Sequence, residues 1–245
     1  CGCDDGSEST VSITDSMPST DAADALVQAD SHNPLEGPSV QSGRTILVAD
    51  IEGQRLVLHR GERQLLKFPL SAFQIATVDE LDPAVNYDPY YLWSEVQIFP
   101  PDLTWHIPTE WVLTEGESAL NLTLSYGELG TAELHIDISG AERLSAQFVP
   151  PTAANIIFTR LRPMADANEA FYGLGEYFDD VNHRGKIRAL QFELDAEIDS
   201  GHNEAHIPIP LLIGTRGWGL FVASFQPGVF AVAVDDPEAI DVMFG

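Results

Sequence analysis

The chain has 245 residues, with 12 Lys or Arg against 38 Asp or Glu and a formal net charge of −26. A duplex-binding surface needs a basic footprint that displaces counterions, so nucleic acid is excluded as a partner; docking on an anionic membrane through a polybasic patch fails on the same sign. No apolar run of roughly 18 residues occurs, so the sequence holds no membrane-spanning helix, and 44% hydrophobic residues are ordinary for a protein that buries a core.

Residues 1–43 carry eight acidic residues, no Lys or Arg, and many Ser, Thr, Asp and Pro. The one helical hint, Asp21–Gln28, is too short to be stable alone. Low hydrophobicity with one sign of charge cannot offset the entropy of ordering, so this leader is expected to be a disordered acidic tether. The only cysteines, Cys1 and Cys3, are two apart. They close no useful loop, are not a C-x-x-C redox pair, and two sulfurs alone make no zinc site. A start of Cys1-Gly-Cys-Asp-Asp resembles a bacterial lipoprotein after signal-peptide removal. That resemblance implies lipid on Cys1, attachment to a membrane surface without spanning it, and a place in the cell envelope. Gly rather than Asp after Cys1 favours the outer membrane or cell surface, again by resemblance.

From Arg44 the pattern changes to short runs of period two. Ile46–Val48, Arg55–His59 and Gln64–Phe68 are strand-like, with turns at 50–53 and 60–62. The clearest signal is a hairpin. Ala119–Tyr126 puts Leu120, Leu122 and Leu124 on one face, 127–130 turns, and 132–138 puts Leu134, Ile136 and Ile138 on the same side. Further strands are expected at 143–149, 154–162, 188–194, 207–213, 219–225, 229–235 and 239–244. No amphipathic helix longer than about two turns is visible. The fold class is therefore all-β, and a strand count above ten favours a large antiparallel two-sheet β-sandwich as one domain over residues 44–245.

Little of the chain carries an independent chemical signature. There is no P-loop, no dinucleotide fingerprint and no nucleophile elbow. His202 and His206 sit between Gly201 and Pro208 in a loop, where four-residue spacing does not align them, so no metal and no cofactor are expected. Tyr87, Tyr90, Tyr91 and Trp93 cluster after an acidic turn, and Trp105, Trp111 and Trp218 lie in or beside strands. Aromatic faces with carboxylates suit a pyranose, which has an apolar face and a polar rim, although most such aromatics serve as core.

The stretch from Ala170 to Phe230 is more specific. It holds Tyr172-Gly-Leu-Gly-Glu176, then Asn182–Gly185, then Phe192-Glu-Leu-Asp195, then a Pro-led strand running from Pro210 into Arg216-Gly-Trp-Gly-Leu220. Four pieces in this order resemble the amino-terminal β-sandwich domain of glycoside hydrolase family 31, the α-glucosidase and α-xylosidase group. On physical grounds, Gly173 and Gly175 leave room for positive φ or close backbone approach. Glu176 is then expected to pair with Arg184 or Arg216 as a structural ion pair, with Gly217 in the final turn. The resemblance implies a galactose-mutarotase-like sandwich, and it implies that Asp195, at the end of a loop over the catalytic mouth, touches a sugar hydroxyl. Glu193-Leu194 replaces the family's Asn-Arg there.

The resemblance further implies a retaining mechanism with two carboxylates about 5–5.5 Å apart. Both belong to a (β/α)₈ barrel of about 250 residues, and no such β/α alternation occurs in these residues. The expected role is therefore a non-catalytic domain that shapes the substrate mouth of a following catalytic barrel and supports homo-oligomerisation, with an α-glucoside or α-xyloside as the carbohydrate. Two rivals remain open: a stand-alone carbohydrate-binding lipoprotein, and a mutarotase-type epimerase, for which no spacing identifies a His base and its carboxylate.

Overall fold

In a computed structural model the described residues are 37–80, 103–116, 118–153, 155–177, 179–190, 205, 207–224, 226 and 228–245. They contain no α-helix and two short 3₁₀ turns, Leu70–Ala72 and Gly127–Leu129. The strands are β1 (Ser39–Ser42), β2 (Thr45–Asp50), β3 (Arg55–Arg60), β4 (Arg63–Pro69), β5 (Phe73–Thr77), β6 (Thr104–His106), β7 (Glu110–Glu115), β8 (Ala119–Ser125) and β9 (Thr131–Gly140). They continue with β10 (Arg143–Val149), β11 (Ile156–Leu161), β12 (Phe171–Gly175), β13 (Lys186–Ala189), β14 (Pro208–Gly214), β15 (Trp218–Phe221), β16 (Gly228–Val232) and β17 (Ile240–Phe244).

The all-β expectation holds, and every strand pairing is antiparallel. The strands fall into four sheets rather than the two expected. The first is β1-β2-β3-β4, the second β10-β9-β8-β7, the third β13-β16-β17-β11-β5-β6 and the fourth β12-β14-β15. Bulges at Leu58/His59, Ile156/Phe158 and Gly173/Gly175 shift the ladders, and a bulge adds twist and bend that shorten regular pairing.

Side chains of the first and second sheets form one apolar cluster, joined by Phe73 and Ile75 of β5. Leu120, Leu122 and Leu124 are essentially fully buried there, as their alternation requires, opposite Leu47, Ala49 and Leu56. Tyr126 ends β8 with its hydroxyl donating to the Phe73 carbonyl at 2.8 Å, which ties the hairpin to β5. A second cluster joins the third and fourth sheets through Phe171, Leu174, Leu212, Trp218, Phe230, Ile240 and Phe244.

Several details depart from the sequence reading, among them β6, β7 and β12, which were not among the expected strands. Ser39–Ser42, assigned by composition to the tether, is a strand paired with β2, and its Val40 is 3% exposed in the first cluster. Ser42 accepts from the Glu142 amide and donates to the Gly140 carbonyl, which fixes the other end of β1. Ile138 is 37% exposed because β9 outruns β8, whose last partner is Asp137 opposite Ala119. β5 escaped detection because all five of its residues are buried, which erases alternation. The tether 1–36, the Tyr87–Trp93 aromatics, His202 and His206 lie outside the described residues.

Because Leu122 is sealed and Ile138 is not, truncation separates them. Leu122→Ala should cost about 3 kcal/mol of unfolding free energy and Ile138→Ala less than about 1 kcal/mol, read from urea midpoints at constant slope.

Candidate functional site

The motif-bearing stretch folds around β12. Its backbone has positive φ at three successive residues, Gly173 (102°), Leu174 (59°) and Gly175 (102°). The cause lies in β14: a Cβ on Gly173 would collide with the Leu211 carbonyl, and one on Gly175 with the Ile207 carbonyl. Only glycine permits that approach. Leu174 pays about 1–2 kcal/mol for a left-handed conformation, offset by a side chain with no exposed surface in the second cluster. The bulge thus turns Leu174 inward and leaves Tyr172 and Glu176 exposed.

Beside it runs a cleft of about 620 Å³, lined by Tyr172–Tyr177, by Asp180, Val181 and His183, and by Ile207, Ile209 and Leu211 of the β14 side. The floor is mostly apolar. Glu176 and Asp180 bring carboxylates to it, and Tyr172 brings a phenol ring.

The Asn182–Gly185 segment fastens β12 from the opposite side. Asn182 Oδ1 accepts from the Phe171 amide, and the His183 amide donates to the Phe171 carbonyl. The His183 ring is 2% exposed and lies between two partners, the Gly173 carbonyl at Nε2 (2.8 Å) and Arg188 Nε at Nδ1 (3.1 Å). Arg188, 1% exposed, also donates to Asp179 Oδ1 at 2.7 Å, and Lys186 Nζ donates to Asp179 Oδ2 at 2.7 Å. The Arg188 guanidinium lies over the Tyr177 ring at 4.3 Å, while the Tyr177 hydroxyl donates to the Ala189 carbonyl. Desolvation opposes the Asp179 charge, but the hydrogen bonds from Lys186 and Arg188 win and hold its carboxyl at about 2.

The turn between β14 and β15 forms the other flank. Gly217, with φ of 90°, closes it by donating to the Gly214 carbonyl. Trp218 and the Glu169 carboxylate pack onto Gly214, where a Cβ would overlap both. Arg216 pairs with Asp166, and its amide donates to Glu169 Oε1 at 2.7 Å. Arg184 donates to the carbonyls of Glu169, Asp166 and Pro237. Three carbonyls take the Arg184 guanidinium and the Asp166 carboxylate takes that of Arg216, and the expected ion pair from Glu176 to Arg184 or Arg216 is not made. Arg184 acts as a backbone clamp because one planar guanidinium satisfies several loop carbonyls at once.

Sequence reasoning thus found the neighbourhood: Tyr172, Gly173, Gly175, Arg184, Arg216 and Gly217 all belong to this corner of the fold. It missed His183, Arg188 and Glu169, whose roles depend on burial. A histidine inside the Asn-His-Arg-Gly segment, adjacent to the motif, was the available signal. Asp195 and Cys1 lie outside the described residues. Among the described residues no group of three His, Cys, Asp or Glu is placed to hold a metal. Of the tryptophans, Trp218 is core, Trp111 packs on the first cluster and Trp105 lies under the Arg160 guanidinium at 3.9 Å.

Gly175→Ala should destabilise the domain by about 2–3 kcal/mol, whereas Gly185→Ala, which has positive φ but open space, should cost about 1 kcal/mol. Calorimetric melting of the two variants checks the contrast. Because the Asp179 carboxyl sits below its ordinary 3.8, the unfolded chain takes up that proton first on acidification. Its stabilisation is complete above pH 3.8 and is lost as pH falls from there to about 2. Asp179→Asn should flatten that limb of an acid-unfolding curve.

No family model matches the sequence, and no curated protein matches it. Solved structures do. A GH31 family sulfoquinovosidase from E. rectale is similar over 78% of this chain and 29% of its own, at 15% identity and a TM-score of 0.57. A Flavobacterium johnsoniae GH31 dextranase matches 85% of this chain and 25% of its own at 12% identity, with a TM-score of 0.33. A cycloalternan-forming enzyme from Listeria monocytogenes matches 84% and 19% at 15% identity, with a TM-score of 0.35. The likeness to the sulfoquinovosidase is one of fold. The chain spans less than a third of the sulfoquinovosidase, and its fold is similar to part of that GH31 enzyme.

Proposed function

We propose that this chain is the amino-terminal, non-catalytic β-sandwich domain of a family 31 α-glycosidase. In this reading it shapes the substrate mouth of a (β/α)₈ barrel that supplies both catalytic carboxylates. One observation carries the proposal. Three motif pieces, Tyr172–Glu176, Asn182–Gly185 and the strand from Pro210 to Leu220, join into one feature held by Asn182, His183, Arg184 and Arg216. Coincidental matches scattered along a chain have no reason to share hydrogen bonds. The likeness to part of the sulfoquinovosidase fold supports the same reading. So do two of the three apolar clusters among the described residues, each of which joins side chains from different sheets.

The fourth piece ends in Asp195, which in this reading touches a hydroxyl of an α-glucoside or α-xyloside. Lipid on Cys1 would tether the domain to the bacterial envelope, at the outer membrane or cell surface. The test is turnover of aryl α-glucosides and α-xylosides. The chain alone should give none, and the chain extended by its downstream coding sequence should turn them over with retention. Robust hydrolysis by the chain alone, abolished by Asp195→Ala, would overturn the proposal.

The cleft favours one second reading, a stand-alone carbohydrate-binding lipoprotein, because Tyr172 with Glu176 and Asp180 offers a ring and two acceptors. Calorimetric titration with maltose, isomaltose and xylosyl sugars separates the two. Heat of binding to the isolated chain, lost in Tyr172→Ala, selects the binding module.

A further inference from the structure

The His183 ring has one arrangement that uses both nitrogens. Arg188 carries only donors, so its Nε–H can meet Nδ1 only if Nδ1 offers a lone pair. The ring proton then resides on Nε2 and is donated to the Gly173 carbonyl. His183 is a neutral strut between the glycine bulge and the Arg188–Asp179–Lys186 chain, and it lines the cleft. A second proton has one place to go, Nδ1, where it would face the Arg188 Nε–H inside the protein with no acceptor between them.

The groups around the ring do not absorb that proton. β13 contributes Arg188 and Lys186, and the turn before it contributes Asp179, Asp180 and the Tyr177 ring, which meets the imidazole edge-on at 5.4 Å between centroids. β12 contributes the Phe171 and Gly173 carbonyls, and the β14 side contributes Ile209 and Leu211. Among the described residues Arg188 and Lys186 already engage Asp179 and Asp180, and the other carboxylate on the cleft, Glu176, is exposed to solvent, so a buried imidazolium would be a third cation beside two.

We propose that His183 is an acid-released clamp on the glycine bulge: neutral, it locks the Tyr172–Tyr177 wall of the cleft to β13, and protonation frees that wall. Burial, the leading effect on this histidine, lowers its proton affinity below the ordinary value of 6.5 in the closed state. The opened state takes up the proton nearer that value. Linkage then fixes the sign and limit of the effect. Closure is complete above pH 6.5, and each unit below it favours opening by up to about tenfold, until the closed-state value is reached. The inference concerns the wall of the cleft and does not depend on what the cleft binds.

The experiment is amide hydrogen exchange on the full chain between pH 7.5 and 5, corrected for intrinsic rates. Protection over 171–177 should fall by up to about tenfold per unit below pH 6.5, while the β8–β9 hairpin stays constant. His183→Gln offers the same donor and acceptor without titrating, so it should keep the protection seen at pH 7.5 and lose the slope. If that variant does not fold, nitrogen chemical shifts of His183 in the unaltered chain decide, expected to report the Nε2–H tautomer and a depressed midpoint. A pH-independent profile, a slope that persists in His183→Gln, an Nδ1–H tautomer or a midpoint at or above 6.5 would each overturn the proposal.

Discussion

β12 and β14 approach so closely at the Gly173–Gly175 bulge that carbonyl oxygens of Ile207 and Leu211 stand where side chains would begin. The surrounding corner of the fold follows from that contact. Three left-handed residues in a row reverse the ordinary alternation of the strand, so Leu174 enters the core between the third and fourth sheets while its neighbours face outward. At the bulge the Gly173 carbonyl, like any backbone carbonyl taken from water, needs a donor. His183 is that donor, and its own demand for a partner on the far nitrogen brings in Arg188, Asp179 and Lys186 in turn. A local steric exclusion at two glycines is thereby extended into a polar chain that crosses from the fourth sheet to the third.

Charge follows a similar economy. The chain is strongly acidic, yet its arginines and lysines are not spread as a neutralising coat. Arg160 and Arg162 share Asp241, Arg188 and Lys186 share Asp179, Arg216 takes Asp166, and Arg184 holds three carbonyls. Most of these cations are partly or fully buried, where each hydrogen bond to a charged group is worth more than at the surface. Cations are spent at the joints between strands, and the remaining acidic surface is left to solvent.

Much of the fold was legible because strands with one buried face write their alternation into the sequence. The β8–β9 hairpin is the clearest case, with Leu120, Leu122, Leu124, Leu134 and Ile136 all sealed as the pattern demands. The failures have physical causes. β5 is buried on both faces and so shows no alternation, β1 has one apolar residue in four, and β12 contains two glycines that read as a turn. Glu176 looked like the natural mate of Arg184 or Arg216 because charge and proximity in sequence suggested it. The arginines turn instead to the carbonyls of Asp166, Glu169 and Pro237 and to the Asp166 carboxylate, which the fold brings within their reach.

By itself the sequence determined the all-β class and the faces of its best-patterned strands, and it singled out the Tyr172–Glu176 stretch, whose glycines form a bulge. These properties are local: period, glycine content and the order of short motifs are carried by residues near one another in the chain. Only the tertiary structure decided that the strands divide into four sheets, that Ser39–Ser42 belongs to the fold, and that His183 bridges the bulge to a buried arginine. Those outcomes depend on which carbonyls and side chains are excluded from water. Exclusion from water is a property of the whole packed chain, set by residues far apart in sequence, and no window of a few residues contains it.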